Sequence, residues 1–232
     1  MLDALLHFDQ QLLLALNGSD SVFWDGFWMT ITKTGTWVVY FLSLFVVLMR
    51  NTNIRQLALI VCIIVLAIVL ADQGASSVFK PMFHRLRPSH DPVLADLVHV
   101  VNDYRGGTYG FISSHAANTF ALFTLISLIM RYGWVTFTMF LYAMFTSYSR
   151  IYLGVHYPGD ILCGAIWGVL CGTLSYALYM YIFSRMSDQQ KYYSSTYTQS
   201  GILKDDTHLI PLVFYGTLIV ALFVALIYSL NN

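Results

Sequence analysis

Hydrophobic positions fall along this chain in long blocks separated by short polar turns. Six blocks, at residues 34–50, 55–79, 112–131, 133–150, 159–184 and 209–230, approach the roughly 20 apolar residues a helix needs to cross a bilayer. The first 16 residues follow another pattern. Asp3, His7, Gln10 and Gln11 lie roughly along one helical stripe among leucines, which predicts an amphipathic helix in the membrane interface, ended by Asn17-Gly18. Trp24, Trp28 and Trp37 predict an interfacial aromatic belt. The expected fold is all-α: a polytopic membrane helix bundle with six transmembrane helices and an N-terminal interfacial amphipathic helix. No domain boundary is visible, so residues 1–232 are expected to form one unit. The fifth block carries Gly164, Gly168 and Gly172, a spacing that permits close helix approach and that ordinary span glycines also produce.

Composition agrees. The chain is 57% hydrophobic and 10% charged, against about 25% charged residues in soluble domains. Its net charge is zero, so no basic surface points to a nucleic-acid partner. No secretory signal is expected, because the first Lys or Arg is Lys33. Cys62, Cys163 and Cys171 lie in apolar runs at a spacing that fits no metal motif, and read as buried thiols.

Six spans place the loops alternately on two faces. The turn at Arg50–Arg55, the turn at Arg131 and the loop 185–208 share one; the loop 80–111 and the turn 151–158 share the other. Six Lys/Arg fall on each face. Setting aside Lys80, Arg87 and Arg150, which a bound anion would neutralise, leaves the excess on the first face. The positive-inside rule then turns the 80–111 face away from the cytoplasm. Residues 185–207 read as a solvated cytoplasmic loop, and 85–110 as a substrate loop or lid.

The chemistry is concentrated on that outer face. The segment F-K-P-M-F-H-R-L-R-P-S-H (79–90) follows the second block directly; S-S-H (113–115) opens the third, and S-R-I-Y-L-G-V-H-Y-P-G-D (149–160) joins the fourth to the fifth. Lys80, Arg87 and Arg150 converge at one membrane face and would repel one another unless an anion lies between them. Arginine forks and a lysine point charge match a lipid phosphate. His115 and His156 can face the same pocket. Asp160, four residues after His156, can hold one ring nitrogen and leave the other free to attack phosphorus; a second histidine can protonate the departing oxygen. Ser113 and the N–H groups opening the third helix can hold a phosphate oxygen. His84, His90, His99 and Asp91 read as loop residues rather than metal ligands. Arg85 and Arg105 read as interfacial anchors. Asp72 is expected to hold the Lys80 region, and Asn118 to make a second-layer or bundle hydrogen bond.

Lys80-x6-Arg87-Pro88, Ser113-Ser114-His115 and Ser149-Arg150-x5-His156-x3-Asp160 together resemble the three motifs of the type 2 phosphatidic acid phosphatase family, in order, across a core at residues 80–160. The first and third match in full. In the second, Ile112 and Ser114 stand where the family has proline and glycine; Ser114 still offers a backbone N–H. The resemblance implies a membrane phosphatase that uses no metal and no cofactor. It implies His156 as nucleophile, Asp160 as its orienting partner and His115 as general acid. Lys80, Arg87, Ser113, Ser114 and Arg150 would bind the phosphate. The implied substrate is a bacterial envelope lipid, lipid A or undecaprenyl diphosphate, with phosphatidylglycerol phosphate or phosphatidic acid as alternatives. The implied location is the bacterial cytoplasmic membrane with the site facing the periplasm, with membrane lipids around it and no obligate protein partner. The non-enzymatic readings are a transporter and a lipid-binding scaffold. The one-sided cations and missing internal repeat speak against the first, and the paired histidines against the second.

Overall fold

The computed structural model describes residues 2–186 and 195–232, and is helical almost throughout. The chain forms α1 (Leu2–Leu16), α2 (Val22–Ile31), α3 (Val38–Asn51), α4 (Ile54–Gln73), α5 (Lys80–Phe83), α6 (Ser114–Met130), α7 (Gly133–Tyr152), α8 (Pro158–Met186), α9 (Lys204–Thr207) and α10 (Leu209–Asn231). Each of the six apolar blocks becomes a helix. Four helical stretches are long and apolar enough to cross a membrane: Thr34–Asn51, Ile54–Phe83, Pro158–Met186 and Lys204–Asn231. The other two of the six blocks do not meet that measure. α6 has 17 residues, about 25 Å of helix, and α7 mixes Thr136, Thr138, Thr146, Ser147 and Ser149 into its apolar run. Part of the expected loop 185–208 falls on residues 187–194, outside the described residues.

The bundle is apolar on its outside as well as its inside. Val39, Leu42, Val65, Leu174, Phe223 and Ile227 are all more than half exposed, as helices that meet lipid require. Inside, one half is filled by large rings. Trp37 stacks on Phe214 and meets Tyr40 and Tyr142 edge-on. Trp37 therefore does not belong to an interfacial belt: it is buried, and its indole N–H donates to the Ile31 carbonyl. Trp28 packs on Tyr148 and Tyr152, while Trp24 remains on the surface.

The other half is closed by small residues. A Cβ on Gly164, Gly168 or Gly172 of α8 would strike the carbonyl oxygens of Ser113, Ala117 and Ala121 on α6 and its N-terminus. The glycine spacing is thus a backbone-to-backbone seam, of the kind small residues make possible between membrane helices. It sets α6 and α8 in a fixed register, so that the first turns of both helices open beside one another.

Between α4 and α5 the chain makes a π-helical stretch, Gly74–Phe79, with Gly74 against the Trp167 indole. Such wider turns re-aim the side chains that follow, here Lys80. The loop after α5 is tied at its base. The Arg87 N–H donates to the Thr108 carbonyl, and the Gly110 N–H to the Arg85 carbonyl. Its far part docks on the α1–α2 turn, where Asn17 bonds the His99 backbone in both directions. α1 covers this assembly, with Leu13 buried against Leu94, Val98, Ile151 and Tyr157.

Candidate active site

The end of α4, the start of α5, the first turns of α6, the end of α7, the α7–α8 turn and the 84–110 loop enclose a cavity of about 250 Å³. It is lined by Asp72, Lys80, Arg87, Tyr104, Gly106, Gly107, Ser114, His115, Asn118, Arg150 and His156. A second, shallower hollow shares Lys80, Arg87 and Gly107 and continues past His84, Thr108 and Tyr109. Residues from three separate sequence clusters therefore meet at one place.

The cations are held by neutral partners. Lys80 Nζ donates to Ser114 Oγ at 2.7 Å and to Ser76 Oγ at 3.4 Å. Arg87 is nearly buried and donates to the carbonyls of Tyr109 (3.2 Å) and Val155 (3.4 Å). Burial, with Arg150 nearby, pulls its pKa down to about 10, so it stays charged at neutral pH. Arg150 is 2% exposed. It donates to Thr32 Oγ1 at 2.8 Å and Tyr104 Oη at 3.0 Å, and its Nε has no partner among the described residues. A buried, charged donor left open is costly unless an anion fills the site. Among the described residues, Asp72 is the one carboxylate in the cavity wall. It accepts from Asn118 Nδ2 at 3.2 Å; Lys80 bonds the two serines instead.

His156 sits in the turn between α7 and α8, essentially buried. Its Nδ1 lies 3.3 Å from Asp160 Oδ2. Burial first, and then the charges of Arg87, Arg150 and Lys80, push its pKa well below the ordinary 6.5. The ring is neutral at neutral pH. An Nδ1–H donated to Asp160 leaves Nε2 with a free lone pair. Asp160 itself is fully buried behind the ring, outside the cavity wall, and also accepts the Tyr157 N–H at 3.1 Å.

Ser113 and Ser114, both expected to bind the phosphate, take different places. Ser114 lines the cavity. Ser113 is wholly buried behind it: its hydroxyl accepts the Ala116 N–H as the α6 N-cap, and its own N–H donates to the Asp160 backbone carbonyl at 3.0 Å. Of the two serines, Ser114 is the one that faces the cavity, where its hydroxyl accepts from Lys80 Nζ.

The PAP2 superfamily profile matches residues 56–184 of this chain, and so covers the cavity with its three motifs. The chain belongs to the PAP2 superfamily. It is 42% identical over 177 residues to a lipid A 4'-phosphatase of Bacteroides thetaiotaomicron, covering 76% of this chain and 79% of the relative. It is 38% identical over 184 residues to a lipid A 4'-phosphatase of Porphyromonas gingivalis, covering 79% and 78%. Among solved structures, the crystal structure of Aquifex aeolicus LpxE superposes with a TM-score of 0.54 at 25% identity, covering 71% of this chain and 92% of that one.

Three residues that the PAP2 motifs do not specify also shape the site. Tyr104, from the 84–110 loop, holds Arg150 through its hydroxyl, with the guanidinium 5.2 Å from its ring centre. Arg85 is no surface anchor: one arm donates to Asp160 Oδ1 at 2.9 Å and the other to Asp9 Oδ2 at 2.7 Å. Asp9 comes from α1. His99 pairs with Asp25 and His84 leans on Tyr109. Among the described residues, no three His, Cys, Asp or Glu side chains gather as a metal site would require.

Proposed function

We propose that this PAP2 protein is a membrane phosphatase that removes the 4'-phosphate of lipid A without a metal, through a phosphohistidine on His156. The observation that carries the reading is the meeting of Lys80, Arg87 and Arg150 around a neutral, carboxylate-backed His156, with His115 in the same cavity. The lipid A 4'-phosphatases to which the chain is 38% and 42% identical support the choice of substrate.

In this mechanism Lys80, Arg87, Arg150 and Ser114 take the phosphate oxygens and supply the positive charge that a metal provides elsewhere. His156 Nε2 attacks phosphorus as the bond to the sugar oxygen breaks. His115 gives its proton to that oxygen, and the alcohol leaves. His115 then takes a proton from water as the water oxygen attacks the phosphohistidine. Phosphate departs and His156 returns to its neutral form. Asp160 accepts the hydrogen bond from His156 Nδ1–H throughout the cycle and steadies the ring as it gains positive charge.

We place six crossings in the membrane: α6 and α7 span together with the four longer helices, and α1 lies in the interface. The cavity then opens to the periplasmic side of the inner membrane, a side the positive-inside rule supports when Lys80, Arg87 and Arg150 are set aside as neutralised by the bound phosphate. The test is phosphate release by the purified full chain, in excess chelator, from lipid A, undecaprenyl diphosphate and phosphatidylglycerol phosphate. Release from the 4' position of lipid A, unchanged by chelator, is expected. Preference for undecaprenyl diphosphate would overturn the substrate, and loss of turnover in chelator would overturn the metal-free chemistry.

A further inference from the structure

Behind His156 the site continues in a closed ring of bonds that ends on the N-terminal helix. Asp160 gives Oδ2 to His156 and the Tyr157 N–H, and Oδ1 to one arm of Arg85. The other arm of Arg85 reaches Asp9 Oδ2, and Asp9 Oδ1 accepts the Gly159 N–H at 2.7 Å. The ring therefore returns to α8 one residue before Asp160. Arg85 also lies over the Tyr157 ring, its guanidinium carbon 3.9 Å from the ring centre. Asp9 is buried, on the same stripe of α1 as buried Leu13.

We propose that Asp9 is a positioning residue for the phosphatase reaction, keeping Asp160 available to His156 by dividing the Arg85 fork between two carboxylates. An arginine facing a single carboxylate favours two parallel bonds to its two oxygens. Without Asp9, Arg85 would take both oxygens of Asp160, including the one that orients His156. The Gly159 bond adds a second restraint, because it fixes the backbone from which Asp160 projects. Asp9 touches neither phosphate nor the attacking nitrogen, and it reaches the reaction only through Arg85 and Asp160. α1 is thereby part of the active site, although it lies outside all three motifs. The inference rests on the roles proposed above for His156 and Asp160.

The test is a double-mutant cycle on the full chain with a lipid A phosphate substrate. Asp9→Ala should lower kcat about 10- to 100-fold, the scale set by misplacing a reacting group. KM and the inhibition constant of inorganic phosphate should hold, since Lys80, Arg87 and Arg150 are untouched. The unchanged phosphate inhibition also reports that the variant is folded. Asp9→Asn, which keeps an acceptor oxygen for Arg85, should recover part of the loss. In an Asp160→Asn background, Asp9→Ala should cost nothing further. Full kcat in Asp9→Ala, or an equal loss with and without Asp160, would overturn the inference alone. Full turnover by Asp160→Asn would instead overturn the orienting role of Asp160, and the Asp9 inference with it.

Discussion

The two sides of His156 are built on opposite electrostatic plans. In front of the ring, Lys80, Arg87 and Arg150 share a cavity with one carboxylate, and their partners are hydroxyls and carbonyls. Behind it, charges alternate: Asp160, Arg85 and Asp9 pair at 2.9 and 2.7 Å. The rear is complete as it stands. The front is short of negative charge, by about what a phosphate dianion brings. A pocket meant to bind and release an anion has to stay unbalanced when empty, whereas a scaffold that orients a nucleophile works best when it is already satisfied.

This contrast breaks if substitutions front and back act alike. The largest effect belongs to the front. Arg150→Ala should cut kcat/KM about 1000-fold, as loss of a donor to developing charge does, and should weaken phosphate inhibition as well. Arg150→Lys restores the charge without the fork and should recover only part of the loss. At the rear, Asp160→Asn should lower kcat about 100-fold while phosphate inhibition holds. Loss of phosphate inhibition in Asp160→Asn would erase the distinction between the two sides.

The smallest effect is a shift in pH dependence. In the proposed mechanism His156 attacks as the neutral ring. Because its pKa is depressed, the neutral form persists as pH falls through 6.5 and is lost only lower down. The acid limb of kcat/KM that belongs to His156 therefore lies below 6.5. Arg87→Ala removes one of the charges that depress it, so the limb should move up toward the ordinary value. The comparison is made on one substrate, whose own titration then cancels. A limb that moves down, or stays, contradicts the electrostatic account.

Most of the front wall was legible in the sequence. Lys80, Arg87 and Arg150 fall at one membrane face together with two histidines, and a histidine with an aspartate four residues on has a short-range geometry that the helix start enforces. Lys80, Arg87, Arg150, His115 and His156 accordingly line one cavity, with Asp160 directly behind. The division between Ser113 and Ser114 was not legible, because it turns on which residue caps α6. Arg85 and Asp9 were hidden for another reason: they are 76 positions apart and acquire meaning only when α1 folds across the loop. One signal was present. Asp9 shares a helical stripe with Leu13 and Leu16, so it is a carboxylate on the face that packs inward, whereas Asp3, His7 and Gln11 are exposed. The helices themselves followed from apolar periodicity, which could not fix how many are full-length crossings: α6 is short and α7 is hydroxyl-rich.

The central claim is that the front delivers a phosphate to His156 itself. Rapid quenching of the full chain with lipid A radiolabelled in the 4'-phosphate, followed by peptide mapping, tests it most directly. The account predicts label on the peptide containing His156, labile to acid and stable to base, and none in His156→Ala. Label that persists in His156→Ala, or wild-type turnover by that variant, would contradict it.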